Sequence, residues 1–342
     1  MKAAVFREFG GPEKVRVEEV PTPTAGPGEA LIRVRACALN HLDLWVLEGL
    51  PALKTPLPFW TGCDIVGDVA ALGPGVTGPA PGTRVAVNPS LSCGVCEWCV
   101  KGEDSMCVSF RILGEHVVGG LAEYVVAPAA NLLPLPAHVS DEAGAAFILV
   151  SMTAWRMLVT QAALRPAEDL LILGVGGGVS SSAVQIGRLC GARVFVTSSS
   201  DEKIARAKAL GAAEGVNYAK SDWTKAVREW TGKRGVDVVL DTVGAATWTG
   251  SIRSLAAGGR LVTCGATSGP VVETDLRIVF WKHLRIIGST MANRTEFRHV
   301  MGQLIAGRLT AIVDRVIPLA EVAQALAHLQ KAEQFGKVVV RL

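Results

Sequence analysis

The chain has 342 residues, enough for two ordinary domains, and its 34 basic and 31 acidic residues leave a net charge of only +3 with no basic stripe, which argues against nucleic acid as the main partner. Hydrophobic residues make up 49% of it, yet the longest apolar stretch, Ala143 to Trp155, is broken by Gly144, Ser151 and Thr153 and falls short of a membrane span. The opening MKAAVFREFGG shows no apolar signal core, so the expectation is a cytoplasmic protein that acts on a small molecule and does not enter a membrane.

In chain order, the runs VRVEEV, ALIRVRA, DIVGDVAAL and TRVAV alternate with turn-forming stretches such as PTPTAGPGE and GPAPG, which predicts a β-rich domain with long loops. Residues 93–107, CGVCEWCVKGEDSMC, then gather four of the eight cysteines. In a reducing compartment such a cluster points to a metal rather than to disulfides. From Leu170 the texture changes: DLLILG, ARVFVTS, EGVNY, VDVVLD, GRLVTCG and LRIIGS recur with helical patterns between most of them. Short apolar strands joined by helical crossovers predict a doubly wound parallel sheet, because both faces of such a sheet are covered. Beyond it, Phe297, Val300, Met301, Leu304 and Ile305 fall at helical spacing, as do Val322, Leu326 and Leu329, and GKVVVRL reads as a closing strand. The six-strand set is complete by Ser289, so these last elements are expected to return to the first domain. The expected division is 1–152 with 290–342, and 153–289.

The segment GVGGGVSSSAVQIG follows the first strand of the parallel set and opens a helix. Small residues there let the backbone approach a pyrophosphate, and the helix N-terminus favours its charge. A tight turn alone also needs glycine, but this one stands where the dinucleotide fingerprint requires it. The second strand ends VTSSSDEK, with serine where an enzyme built for NAD carries an acidic residue for the ribose. With no carboxylate to repel a 2′-phosphate and Lys203 nearby, NADP(H) is expected ahead of NAD(H). Alternatively, or in addition, Ser199 caps the next helix and Glu202 completes a capping box.

These stretches together resemble the medium-chain dehydrogenase/reductase superfamily, which includes zinc alcohol dehydrogenases and quinone oxidoreductases. The resemblance runs over the whole chain and is carried by ALNHLD at 38–43, GCDIVG at 62–67, the four-cysteine loop, the turn residues Gly174, Gly177 and Ser180, VDVVLDTVG at 236–244, and GGRLVTCGATSG at 258–269. It implies a GroES-like catalytic domain built from both chain ends, a Rossmann domain between them, a cleft, and a homodimer or homotetramer. It also implies a structural zinc on Cys93, Cys96, Cys99 and Cys107. Four thiolates satisfy tetrahedral zinc and leave no open position for chemistry.

By the same resemblance, the catalytic zinc of the alcohol dehydrogenases would be held from positions that are here Asn40, Cys63 and Leu149. Leucine cannot bind zinc and an amide binds it poorly, so the usual ligand set is missing. Asp64 occupies the slot of the second motif's glutamate, and a substitute site from His41, Asp43, Cys63 and Asp64 is the alternative. Leu42 and Trp45 also interrupt the family's proton relay. Without a metal to stabilise an alkoxide, hydride delivery to a quinone, an enone or another activated carbonyl acceptor is the easier chemistry. Two rivals stand beside that reading: an alcohol dehydrogenase with a rebuilt metal site, and an NADPH-binding redox sensor without turnover. Asn40 and Thr153 are expected to position the nicotinamide or acceptor, with Asp43 bracing the loop or serving as an acid or base. For the cofactor, the resemblance implies Gly174, Gly177, Gly178, Val179 and Ser180 at the pyrophosphate. It implies Ser198, Ser199, Lys203 and Tyr218 at the adenosine end, and Val243, Cys264, Gly265 and Ala266 on the nicotinamide side.

Overall fold

The structure, a computed structural model, describes residues 1–50 and 53–342. The chain divides into two compact units, Met1–Met152 with Ala292–Leu342, and Thr153–Met291.

The first unit is organised on a sheet whose strands run, in spatial order, Val313–Pro318, Lys337–Arg341, Glu29–Ala38, Asp64–Leu72, Arg84–Val87 and Leu132–Pro134, with Tyr124–Pro128 also paired to the Glu29 strand. Ile32, Val34, Ile65, Val69, Val85, Val338 and Val340 are buried in its core, where each fully buried aliphatic side chain contributes roughly 1.5–3 kcal/mol. The register matters more than the strand count. Ala38 lies opposite Val339 on one side and Asp64 on the other, so three segments distant in sequence converge just beyond Ala38. The strand at Val313–Pro318 was not apparent in the sequence. It pairs in parallel with the Lys337 strand at the sheet's edge.

The chain leaves the sheet at Leu39 and turns at once into the helix His41–Glu48. The sequence pattern reads there as a loop, and the helix exists because its start is capped, as described below. The long helix Asp141–Trp155 passes through the interior. The stretch Asp141–Gln161 is, among the described residues, the one helical segment long and apolar enough to cross a membrane, but 78% of its apolar window is buried within the protein.

The second unit is a six-stranded, wholly parallel sheet in the order Glu214–Asn217, Arg193–Ser198, Asp169–Ile172, Val236–Asp241, Leu255–Thr263, Arg285–Gly288. The strand order 3-2-1-4-5-6 is that of a doubly wound dinucleotide-binding fold, as the alternating apolar runs predict. Leu171, Phe195, Val239 and Leu261 lie in its core, beside helices that carry Val227 and Ile252.

Candidate active centre, nucleotide turn and cysteine lobe

The glycine turn is held from two sides. Gly174 adopts φ +65° and Gly176 φ +145°, backbone shapes that L side chains rarely take, and a Cβ on Gly176 would come within 2.9 Å of the Lys203 side chain. Gly174 N–H donates to Thr197 Oγ1 at 3.1 Å, and Val175 N–H to the Thr197 carbonyl at 2.7 Å. Ser180 Oγ donates back to the carbonyls of Gly174 (3.0 Å) and Gly177 (3.1 Å), fastening the turn to the first turn of helix Gly178–Leu189. Gly174, Gly177, Gly178, Val179 and Ser180 thus form one continuous turn at a helix N-terminus, the element that favours a pyrophosphate.

At the next strand end, Ser198 is buried and its Oγ accepts from Ser200 N–H at 3.3 Å, while its carbonyl accepts from Tyr218 N–H at 2.9 Å. Ser199 and Tyr218 are exposed. The helix cap is Ser200, whose Oγ accepts from Lys203 N–H at 3.4 Å; the expected cap at Ser199 with a box closed by Glu202 is one residue out of register, and Ser199 is left free of that work. The nearest carboxylate along the chain, Asp201, is tied up by Asn217 and Lys220.

On the side assigned to nicotinamide, the fully buried Asp241 organises the turn. Its Oδ1 accepts from the N–H of Val243 (2.8 Å) and Gly244 (3.1 Å), and its Oδ2 from the hydroxyls of Thr247 (2.8 Å) and Ser251 (2.9 Å). The Val243 carbonyl accepts from Ser268 N–H at 2.8 Å, and a Cβ on Gly244 would sit 3.0 Å from Ala266 Cα. Val243, Gly265 and Ala266 therefore belong to two abutting loops. Cys264 is partly buried beside them, and burial pushes its thiol up to about 12, so it stays protonated at neutral pH.

The four cysteines of the 93–107 loop come together. Their sulfurs all lie within 4.8 Å of one another, with Cys96–Cys99 at 3.6 Å and Cys93–Cys99 at 3.9 Å. A tetrahedron of Zn–S bonds of about 2.3 Å has edges of about 3.8 Å, so the donor set fits zinc both in kind and in size. Backbone N–H groups point at the sulfurs: Cys96 N–H to Cys93 and Ser109 N–H to Cys107, each 3.3 Å. Such bonds stabilise thiolates. The backbone N–H groups of Cys99 and Val108 draw the Cys96 thiol down to about 6, whereas burial raises Cys99 to about 11.

The remaining group is the one the Ala38 register assembles. Asp43 is 2% exposed and spends both oxygens on backbone: Oδ2 accepts from Asn40 N–H at 2.6 Å and Oδ1 from Gly62 N–H at 2.8 Å. The first bond is half of a capping box and starts the helix; the second clamps the Gly62 turn, where φ is +102° and a Cβ would collide with Cys37 Sγ at 2.7 Å. Burial raises the Asp43 carboxyl and these bonds oppose the shift. Asp43 is a brace.

Asp64 is fully buried. Its Oδ1 accepts from Leu149 N–H at 2.7 Å, and its Oδ2 accepts from Asn40 Nδ2 at 2.9 Å and from the ammonium of Lys337 at 2.9 Å. Asn40 Nδ2 also faces Cys63 Sγ at 3.3 Å, and Asn40 Oδ1 accepts a second hydrogen bond from Lys337. The amide expected to meet the nicotinamide or acceptor is thus engaged inside the chain. Positions 40, 63, 64 and 149 do converge, but Lys337, 4% exposed, completes the group, and sequence reasoning missed it. Burial first, then the Asp64 and Asp43 charges, raise the Cys63 thiol well above its usual range. His41 is pushed down by burial and by Lys337, and its ring lies 6.4 Å from that of Trp45. Among the described residues, only the cysteine quartet groups three or more His, Cys, Asp or Glu donors closely enough for a metal; the alternative site from His41, Asp43, Cys63 and Asp64 is not assembled, because Asp43 and Asp64 have other partners. Thr153 Oγ1 is buried without a hydrogen-bond partner, one helical turn beyond Leu149.

A nucleotide turn on a doubly wound sheet, joined to a β-rich unit containing a preorganised polar centre, defines a dinucleotide-dependent oxidoreductase. Residues 26–137 match the family model "Alcohol dehydrogenase GroES-like domain" and residues 178–306 match "Zinc-binding dehydrogenase". An alcohol dehydrogenase of Geobacillus stearothermophilus is 32% identical over all of both chains, and the acryloyl-coenzyme A reductase of Metallosphaera sedula is 31% identical over 99% of each. A crystal structure of an NAD-dependent alcohol dehydrogenase is 46% identical and superposes over the whole of both chains with a TM-score of 0.96. The chain belongs to the medium-chain dehydrogenase/reductase superfamily and is an NAD(P)-dependent oxidoreductase.

Proposed function

We propose that the protein reduces an activated acceptor, an enone, a quinone or another activated carbonyl compound, at the expense of a reduced nicotinamide dinucleotide and without a catalytic metal. The observation that carries this reading is the centre at Asn40, Cys63 and Leu149, where an amide, a thiol and an aliphatic side chain stand in place of three metal ligands, while the neighbouring Asp64 carboxylate is paired with the Lys337 ammonium. Bound dinucleotide supplies the hydride. For an enone, the β-carbon receives that hydride, the double-bond electron pair shifts onto the carbonyl oxygen, and solvent returns one proton to the α-carbon. Fixed positive charge favours the oxygen's developing negative charge. The acryloyl-coenzyme A reductase bears a name that describes this chemistry.

Ser198 and Ser199 offer no carboxylate against a 2′-phosphate and Asp201 is engaged elsewhere, which supports NADP(H) ahead of NAD(H). The cysteine quartet is proposed to hold one structural zinc. Leu276, Phe280 and Trp281 are exposed on a short helix preceding the edge strand Arg285–Gly288, which supports a homodimer or homotetramer covering that face. Alcohol–aldehyde interconversion is the second reading, favoured by the names of two relatives. The sensor without turnover is set aside, because the chain is an oxidoreductase. The deciding experiment follows NADPH and NADH oxidation against enones, quinones and aldehydes before and after chelation. Reduction of enones or quinones that survives chelation supports the proposal; turnover confined to aldehydes and abolished by chelation overturns it.

A further inference from the structure

The zinc that alcohol dehydrogenases of this family use in chemistry does not fit the residues at its place in this chain. Among the described residues, Asp64 is the one carboxylate bonded to the Asn40 side chain, and its oxygens are already held by Leu149 N–H, Asn40 Nδ2 and Lys337. A divalent ion on Oδ2 would have to share that oxygen with an ammonium, and the neighbouring sulfur, Cys63, already faces Asn40 Nδ2 at 3.3 Å. Leu149 contributes only its backbone.

We propose that Lys337 is the resident cation of the centre and takes the place of the catalytic metal, its charge and remaining N–H serving the acceptor oxygen. This deepens the metal-free reading given above and rests on it. Two observations point the same way. The first is charge. A fully buried carboxylate needs a counter-ion, and Lys337 supplies one from a strand 273 residues away, inside the group of residues that would otherwise be a metal shell. Its field reaches further, since it also acts on His41 and Asp43. The second is hydrogen-bond capacity. An ammonium carries three N–H groups, and among the described residues Lys337 has two acceptors, Asp64 Oδ2 and Asn40 Oδ1. The third N–H has no acceptor among the described residues, on a side chain that is 4% exposed, and a buried donor left unpaired is costly.

The test uses the whole zinc-loaded protein and whichever acceptor the wild type reduces fastest. The wild type is expected to keep one zinc per chain after incubation with excess zinc or cobalt. Lys337→Met is expected to lower kcat about a hundredfold with the KM for NADPH little changed, and Lys337→Arg to restore part of the loss. Asp64→Asn/Lys337→Met removes both charges at once and is expected to fold normally and remain slow. A second metal in the wild type whose removal stops turnover would overturn the proposal. So would wild-type turnover in the double variant, since the ammonium would then merely neutralise Asp64. A loss confined to the KM for NADPH would equally overturn it, by making Lys337 a cofactor-binding group. If the fastest acceptor proves to be an aldehyde, the acceptor assignment fails while the Lys337 variants still report on the cation.

Discussion

The ammonium of Lys337 lies 2.9 Å from Oδ2 of Asp64, a pair separated by 273 residues of chain and almost wholly withdrawn from solvent. Breaking such a pair from one side leaves an uncompensated buried charge, which costs about 3–5 kcal/mol. Lys337→Met should therefore lower the urea midpoint markedly, and the double variant with Asp64→Asn should recover most of the loss. Equal destabilisation of the single and double variants would show that packing, not charge, holds this position.

The cysteine lobe should behave as a closed clamp. Replacing Cys93 with Ser is expected to abolish zinc retention, measured by atomic emission, and to lower Tm by several degrees. Turnover per folded molecule should change little, because four thiolates leave the ion no open position. A variant that keeps its Tm and loses only hydride transfer would contradict the assignment.

Ser199 is exposed and does not cap the helix, so it is free to face a ribose substituent. Ser199→Asp should raise the KM for NADPH about tenfold or more through like-charge repulsion with a 2′-phosphate, while NADH kinetics change far less. Parallel losses with both cofactors would place Ser199 outside the adenosine site.

Glu115 gives a pH signature. Burial raises its carboxyl from 4.5 to about 7, so between these values the folded state binds more protons than the unfolded chain. Its contribution to stability is therefore lost as pH rises from about 4.5 to about 7. Glu115→Gln should flatten this part of the stability profile, followed by urea denaturation at fixed pH. A variant whose slope matches the wild type would remove Glu115 as its source.

Trp281 stands 81% exposed beside Phe280 at the end of a six-residue helix. Trp281→Glu should shift the mass by light scattering toward the monomer, without altering the far-ultraviolet circular dichroism. An unchanged assembly would move the interface elsewhere.

The parallel sheet was legible because strands covered on both faces are short, uniformly apolar runs, and the glycine turn follows the first of them. The cysteine lobe was legible because four of the eight cysteines crowd into fifteen residues, at a spacing that resembles the family's structural-zinc loop. The helix His41–Glu48 was hidden because it is short and begins on a capping box, Asn40 with Asp43, that lies within a motif read as a loop. The strand Val313–Pro318 was hidden because an edge strand with Asp314, Arg315 and a terminal proline lacks the apolar signature of a buried one. The three consecutive serines concealed a one-residue difference in which of them caps a helix. Lys337 was least legible of all. A lysine heading a valine run reads as the solvated end of a strand, and only the pairing of Ala38 with both Asp64 and Val339 turns it inward.

That pairing also imposes an order of events on biosynthesis. The Asp64 strand leaves the ribosome before the whole of the nucleotide-binding unit, and its counter-ion follows only after that unit has been made. Throughout that interval the carboxylate lacks its counter-ion, and sealing it from water would carry a heavy penalty, whereas the second unit is continuous in sequence. The Lys337 strand, which lies between Val313–Pro318 and Glu29–Ala38, is thus among the last parts of the first unit to be synthesised, and the buried ion pair with Asp64 is complete only once it is made.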